Sequence, residues 1–456
     1  MLIVISDLHF EEVASDKVAP DGAPHGVRFD ERNLKPGAFD VVFGDLTTAA
    51  RRNGARNVDI VLAGDIFDLH RTRLWFDAGG LRPYLSCTDV ASGSRHEEKI
   101  LQILDGIAAD DAVATNLAAL RRLAGVATPR HGGPLGYEWF GVPTRVHYLP
   151  GNHDRLVNAT PATRLKAREL LGLGPSTARF PHVFESADPR VLVRHGHEYD
   201  ALNFGGRLSA HAEIPVSLSD ADYDDWTFGD FVTVDVAMGL PDAFREVYQD
   251  RIAFDPLLST VYGRLLEFDD VRPQSQLVAF LLTIPGQEPT QVWRVLEPAF
   301  VTLLERLAGD PNVDRAFAKG GVSPLWRLLL DARVWRWGLP LALVRRLGSF
   351  ASRRGDADPA ASAVREEVVA QGRARFVVAG HTHHPQVALL STHSDFERYF
   401  VDTGTWRNVV LSTGSGAFAN TKAITHVAIY ASTEDPGGLR AKRESFDFWS
   451  GCSKRW

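Results

Sequence analysis

Short apolar runs of four to six residues recur along the chain and predict buried strands covered by helices. They are Leu2–Ser6, Val58–Ala63, Arg145–Leu149, Arg190–Arg194 and Phe376–Ala379. Two later runs, Arg398–Val401 and Ile424–Ala431, are expected to finish a sheet. Between the runs the apolar positions change to a helical period. Pro36–Arg52 puts Phe39, Val42, Phe43 and Leu46 on one face, and Glu97–Ala124 predicts one further helix carrying Leu101, Ile103, Leu104, Leu117, Leu120 and Leu123. Strands alternating with helices predict an α/β fold.

The alternation breaks over residues 201–365. This stretch opens acidic (Asp220, Asp222, Asp224, Asp225, Asp230, Asp235) and continues as helical segments at Gln276–Ile284, Gln291–Leu307 and Pro324–Leu347. It ends in a polar, small-residue linker, Ser349–Ser362. Strand-plus-motif units resume after it. The expected organisation is therefore a core in two parts, 1–200 and 366–456, separated by a mainly helical insertion or cap over 201–365.

The 456 residues are 45% hydrophobic and 23% charged, which excludes a wholly disordered chain. With 50 Lys and Arg against 57 Asp and Glu, the net charge of −7 gives no strong nucleic-acid signal. Two cysteines, Cys87 and Cys452, make no disulfide framework and predict a reducing, cytoplasmic setting. The first residues lack the basic flank and apolar length of a signal peptide. No run reaches the ~18 apolar residues of a membrane span, so the expectation is a soluble or at most peripheral protein.

Each of the first five apolar runs is followed within a few residues by a metal-ligand type. Asp7 and His9 follow the first, Asp65 the second, Asn152 and His153 the third, His195 the fourth, and His381 with His383 the fifth. In α/β sheets the carboxyl ends of strands form the crevice where ligands bind, so these tips point to one pocket. The donors are oxygen and imidazole nitrogen without thiolate, which suits manganese first, with iron or zinc as alternatives. There are more donors than one ion accommodates, so two divalent ions are implied, with Asp65 as the bridge. Such a cationic site attracts an anionic substrate, lowers the pKa of bound water toward ~7, and fits attack of hydroxide on phosphorus.

Asp7-Leu-His9, Gly64-Asp65-Ile-Phe-Asp68, Gly151-Asn152-His153-Asp154, His195 and Gly380-His381-Thr-His383 together resemble the motif set of the calcineurin-like metallophosphoesterases, in the same order. The resemblance covers about residues 1–200 and 365–432. It implies an α-β-β-α sandwich of two mixed sheets flanked by helices. It also implies that Asp7, His9, Asp65 and His383 hold one metal, that Asp65 bridges, and that Asn152, His195 and His381 complete the other. A metal-bridging hydroxide would be the nucleophile. His153 would contact the phosphate and act as general acid, with Asp68 orienting it. The stretch Val401-Asp-Thr-Gly-Thr-Trp406 resembles the segment that often follows the last histidine motif.

Other positions have more than one reading. His197 either meets substrate or packs near the site; His70 and His384 are expected at packing or surface positions, and Asp154 is expected to stabilise a turn. The arginine- and tryptophan-rich segment Trp326–Arg354 reads as a packing helix with a solvated basic face, as a cap for an anionic or lipid-like substrate, or as a contact with anionic membrane. The Trp/Leu-rich insertion is loosely similar to that of the UDP-diacylglucosamine pyrophosphatases, a branch that carries Arg where this chain has His153. The expected activity is hydrolysis of a phosphate ester or pyrophosphate. A nuclease is an alternative within the class, and a non-catalytic scaffold or membrane- or partner-binding protein is the alternative outside it. A phosphoprotein phosphatase would have Arg-Gly after Asp68, where this chain has Leu69-His70.

Overall fold

The computed structural model describes residues 1–12, 32–77, 81–123, 139–322, 330, 333, 358–392, 396–434 and 443–452. Twelve strands run in chain order through these residues: β1 (Leu2–Ile5), β2 (Val58–Ala63), β3 (Thr144–Leu149), β4 (Val183–Ala187), β5 (Arg190–Arg194), β6 (Val271–Arg272), β7 (Phe376–Ala379), β8 (Gln386–Thr392), β9 (Glu397–Asp402), β10 (Asn408–Ser412), β11 (Phe418–Tyr430) and β12 (Ser445–Cys452).

They form two mixed sheets in an α/β fold. The first has the order β3-β2-β1-β11-β10-β6 with β12 added along β11, and the second has the order β4-β5-β7-β9-β8. Within the first, β1, β2 and β3 are mutually parallel; within the second, β5, β7 and β9 are. The parallel strands are the near-continuous apolar runs of the sequence. Alternate residues along them serve two different layers, because successive side chains leave opposite faces of a strand. Leu2, Val4, Val61 and Val427 of the first sheet share a core cluster with Val191, Val193, Phe376 and Val378 of the second. Ile3 and Ile60 turn the other way, into a cluster with Phe39 and Phe43 of the helix Ala38–Asn53. Leu192, Val377 and Phe400 likewise pack with Ala363, Val368 and Val369.

The single helix expected over Glu97–Ala124 is two helices, Arg95–Ala109 and Asp111–Leu123. Asp110 is extended between them, and its carboxylate accepts the amides of Ala112 (3.0 Å) and Val113 (2.9 Å). A cap of this kind competes with continuation of the helix, which the apolar period alone does not reveal.

Residues 201–322 are mainly helical, including Gly239–Tyr248, Pro256–Leu266, Pro289–Ala308 and Pro311–Gly320. Leu240, Phe244 and Tyr262 belong to the same core cluster as Phe39 and Trp75. The stretch also supplies β6, which pairs in parallel with β10 at the edge of the first sheet. The insertion is thus sewn into the core rather than laid over it. Except for Leu330 and Arg333, the expected helix Pro324–Leu347 and the basic segment Trp326–Arg354 fall outside the described residues, as does most of the linker Ser349–Ser362. No helix of the described residues is long and apolar enough to cross a membrane.

Candidate metal centre

The residues expected at five separate strand ends come together at the carboxyl ends of β1, β2, β3, β5 and β7. Three groups of donors have their ligand atoms within 4.8 Å of one another: Asp7 with His9 and His383; His9 with Asp65 and His153; and Asp65 with His195 and His381. Asp65 lies between the outer groups, its Oδ2 3.7 Å from His9 Nε2 and 3.2 Å from His195 Nε2. The Asn152 amide oxygen is also 3.2 Å from His195 Nε2.

Backbone geometry at these tips is costly. Asp7, His9, Asp65, His381 and His383 all have positive φ, between 45° and 73°. For L-residues the left-handed region costs roughly 1–2 kcal/mol each, and such strain persists where surrounding structure imposes it. The imposing bonds are visible. The amides of Asp7 and His9 donate to the carbonyls of Gly64 (3.0 Å) and Asp65 (2.9 Å), while Thr405 Oγ1 and the Trp406 amide both donate to the Asp7 carbonyl. The Asp154 carboxylate accepts the amides of Ile66 (2.8 Å) and Gly151 (2.5 Å) and the Tyr148 hydroxyl (2.6 Å), tying the second and third tips together. Burial and the neighbouring Asp65 push Asp154 up to about 6. Two glycines are dictated by close approach: a Cβ on Gly151 would run into the Asp65 carboxylate, and one on Gly380 into the Asp7 carboxylate and Ser6.

Further side chains fix the donors. His195 Nδ1 lies 2.8 Å from the Ala63 carbonyl, which leaves Nε2 as the free donor. Asp68 lies 2.9 Å from His9 Nδ1 and 3.0 Å from His153 Nδ1, and it accepts the amides of His70 and Arg71. Asp200 Oδ2 lies 3.2 Å from His381 Nε2. Carboxylates behind imidazoles are the usual means of orienting metal-binding histidines.

Charge here is dense and buried. Burial alone would pull an imidazole down, yet Asp68, Asp7 and Asp65 drive His9 up to about 9. Asp68 and Asp65 drive His153 up to about 10, and Asp65 with Asp7 drives His195 up to about 10. Against the same burial, the imidazoles hold Asp7 and Asp65 well below the ordinary carboxylate range. His383 goes the other way, down to about 3, through burial and the Arg272 guanidinium beside it. Its Nε2 is 3.0 Å from His9 Nε2 and its Nδ1 is 3.0 Å from Arg272. Asp7 Oδ1 lies 3.4 Å from the same His383 Nε2 and 3.8 Å from His9 Nε2. Two imidazole nitrogens and a carboxylate oxygen thus converge without a thiolate, a donor set that fits a divalent metal.

His197 is buried, with its ring 5.2 Å from that of His195 and packed against Phe204 and Tyr223. Burial takes it down to about 3. His70 is also buried, 5.6 Å ring to ring from His153, while His384 is exposed. Sequence reasoning missed Asp200, Arg272 and Arg407. Arg407 lies 3.5 Å from Asp68 and 2.6 Å from Asp270, and directly follows the recognised segment ending at Trp406. Asp200 and Arg272 sit in no motif, and only the folded chain brings them to the site. No protein-family model matches this chain, and no curated protein matches it.

Proposed function

We propose that the chain is a metal-dependent phosphoesterase of the calcineurin-like type, hydrolysing a phosphate ester or pyrophosphate. The observation that carries this reading is the meeting of Asp7, His9, Asp65, Asn152, His195, His381 and His383, from five separate tips, around a shared Asp65. On this reading Asp7, His9, Asp65 and His383 hold one divalent cation, and Asp65, Asn152, His195 and His381 hold a second. Oxygen and imidazole donors without thiolate favour manganese, with iron or zinc as alternatives. Bound there, the pair supplies the acidified water and the positive charge that phosphate hydrolysis needs. The two sheets, with a cluster shared between them and helices outside, are read as the α-β-β-α sandwich of that family.

The chain's own residues supply the rest. Asp68 takes Nδ1 of His153, so the proton on Nε2 is the one available for a leaving oxygen. Its carboxylate also favours the imidazolium, the form a general acid requires. The same carboxylate grips His9, so acid and donor set are built on one anchor. The cytoplasmic expectation belongs to this reading too: Cys87 is buried, and burial pushes its thiol up to about 12.

The test is a substrate panel run with manganese: an aryl phosphate, a bis-aryl phosphodiester, a nucleotide pyrophosphate and a phospholipid. Turnover of at least one is expected, abolished by chelation and cut by about a hundredfold or more by His153→Ala or Asp65→Asn in protein that remains folded. A manganese-loaded chain inert toward the whole panel contradicts the reading.

A further inference from the structure

Among the described residues of the insertion, Arg272 is the one that reaches a predicted metal ligand through its side chain. It stands on β6, where pairing with β10 fixes its backbone: Arg272 lies opposite Leu411 in that register. Its guanidinium donates to the carbonyls of Asp269 (2.7 Å) and Val271 (3.0 Å), and its remaining arm meets His383 Nδ1 at 3.0 Å. Among the described residues no carboxylate lies within ion-pair distance of it. The neighbouring buried arginines are different. Arg71 pairs with Glu11 (2.8 Å), Arg155 with Asp230 (2.9 Å), Arg194 with Glu366 (3.1 Å) and Arg407 with Asp270 (2.6 Å). The Arg272 guanidinium is half-buried, with Asp269, Asp270 and Asp7 near it but none within ion-pair distance, so its open arm is placed to meet a ligand anion.

The contact with His383 also conflicts with metal binding. An imidazole that gives its Nε2 lone pair to a cation carries its proton on Nδ1, and so cannot accept there from Arg272. The Arg272 arm then needs another acceptor at the same place. Two divalent cations bring about +4, and Asp7 and Asp65 about −2, so the lining is cationic even before Arg272 adds its charge. A terminal phosphate with two negative charges matches this excess better than a diester or internal pyrophosphate with one charge per phosphorus. A guanidinium fork also suits two phosphate oxygens at once.

We propose that Arg272 grips the phosphoryl group of the substrate, and that the site selects a terminal phosphate over a phosphodiester. This inference rests on the phosphoesterase reading.

The experiment is calorimetric titration of the manganese-loaded full chain with inorganic phosphate and, separately, with dimethyl phosphate. Wild type, Arg272→Ala and Arg272→Lys are compared, with manganese content measured on each. Wild type is expected to bind phosphate more tightly than dimethyl phosphate. Arg272→Ala should lose about tenfold or more in phosphate affinity, the scale of a charged hydrogen bond, with manganese content unchanged and dimethyl phosphate binding little affected. Arg272→Lys, which keeps the charge without the fork, should recover part of the loss and serves if the alanine variant does not fold. Unchanged phosphate affinity in the variants overturns the role of Arg272 alone, as does a loss explained by lost manganese. Wild type that holds manganese but binds no phosphate overturns this proposal together with the function it rests on.

Discussion

His153 Nδ1 lies 3.0 Å from one oxygen of the Asp68 carboxylate, and the other oxygen lies 2.9 Å from His9 Nδ1, so one carboxylate joins the proposed acid to the proposed donor set. Asp68 is in turn held by two backbone amides and approached by Arg407, so its position owes nothing to solvent. On the proposed reading, acid strength and metal geometry respond together to one carboxylate.

Replacing Asp68 by Asn keeps the shape and removes the charge. Asp68 raises His153, so its loss lowers His153 from about 10, and the protonated form disappears at lower pH. The alkaline limb of the kcat/KM profile should move to lower pH, with activity down about 10- to 100-fold. His153→Ala should cost about 10²–10⁴-fold in kcat with manganese content retained. An unshifted alkaline limb in Asp68→Asn separates His153 from the acid role.

Metal-free protein should lose stability as pH rises. His153 and His195 are both raised to about 10 when folded, against about 6.5 in an unfolded chain. Their contribution is therefore fully present below about pH 6.5 and lost as pH climbs toward about 10. Chelated protein should show a falling Tm across that window, and manganese should restore more of it at pH 9 than at pH 6 (about three units apart), since cations and protons compete for the same nitrogens. A chelated Tm that rises across the window contradicts the assignment.

Gly380→Ala places a methyl against the Asp7 carboxylate and Ser6, with the β1 and β7 ends too rigid to part. Destabilisation of about 1–3 kcal/mol is expected, together with weakened manganese uptake. Denaturant unfolding and elemental analysis check both; a variant as stable and as metal-rich as wild type rules out the close approach.

Asp200→Ala should weaken manganese binding about 10- to 100-fold without removing a ligand, because it frees His381 to turn. Titration of metal-stripped protein reads this as loss of one binding phase while the other remains. Loss of neither phase contradicts an orienting role.

The strand ends were legible in the sequence because parallel strands write themselves as unbroken apolar runs, and a donor after each run has nowhere to go but the crevice. Asp7, Asp65, Asn152, His195 and His381 follow that rule. The strands β4, β8, β10 and β12 were not legible, since they lie at or near sheet edges with mixed, half-exposed patterns. The break at Asp110 depended on a side-chain cap rather than on period. Arg272 and Asp200 were illegible for a different reason. Each is one polar residue in a stretch without periodic meaning, and its partner, His383 or His381, is more than a hundred residues away in sequence.

The decisive measurement is the manganese stoichiometry of chelated and reconstituted protein after gel filtration, wild type beside Asp65→Asn. Two ions per wild-type chain are expected, with the variant retaining far less because Asp65 serves both positions. A wild-type chain that takes up no manganese, iron or zinc, or a variant that takes up as much as wild type, contradicts the account.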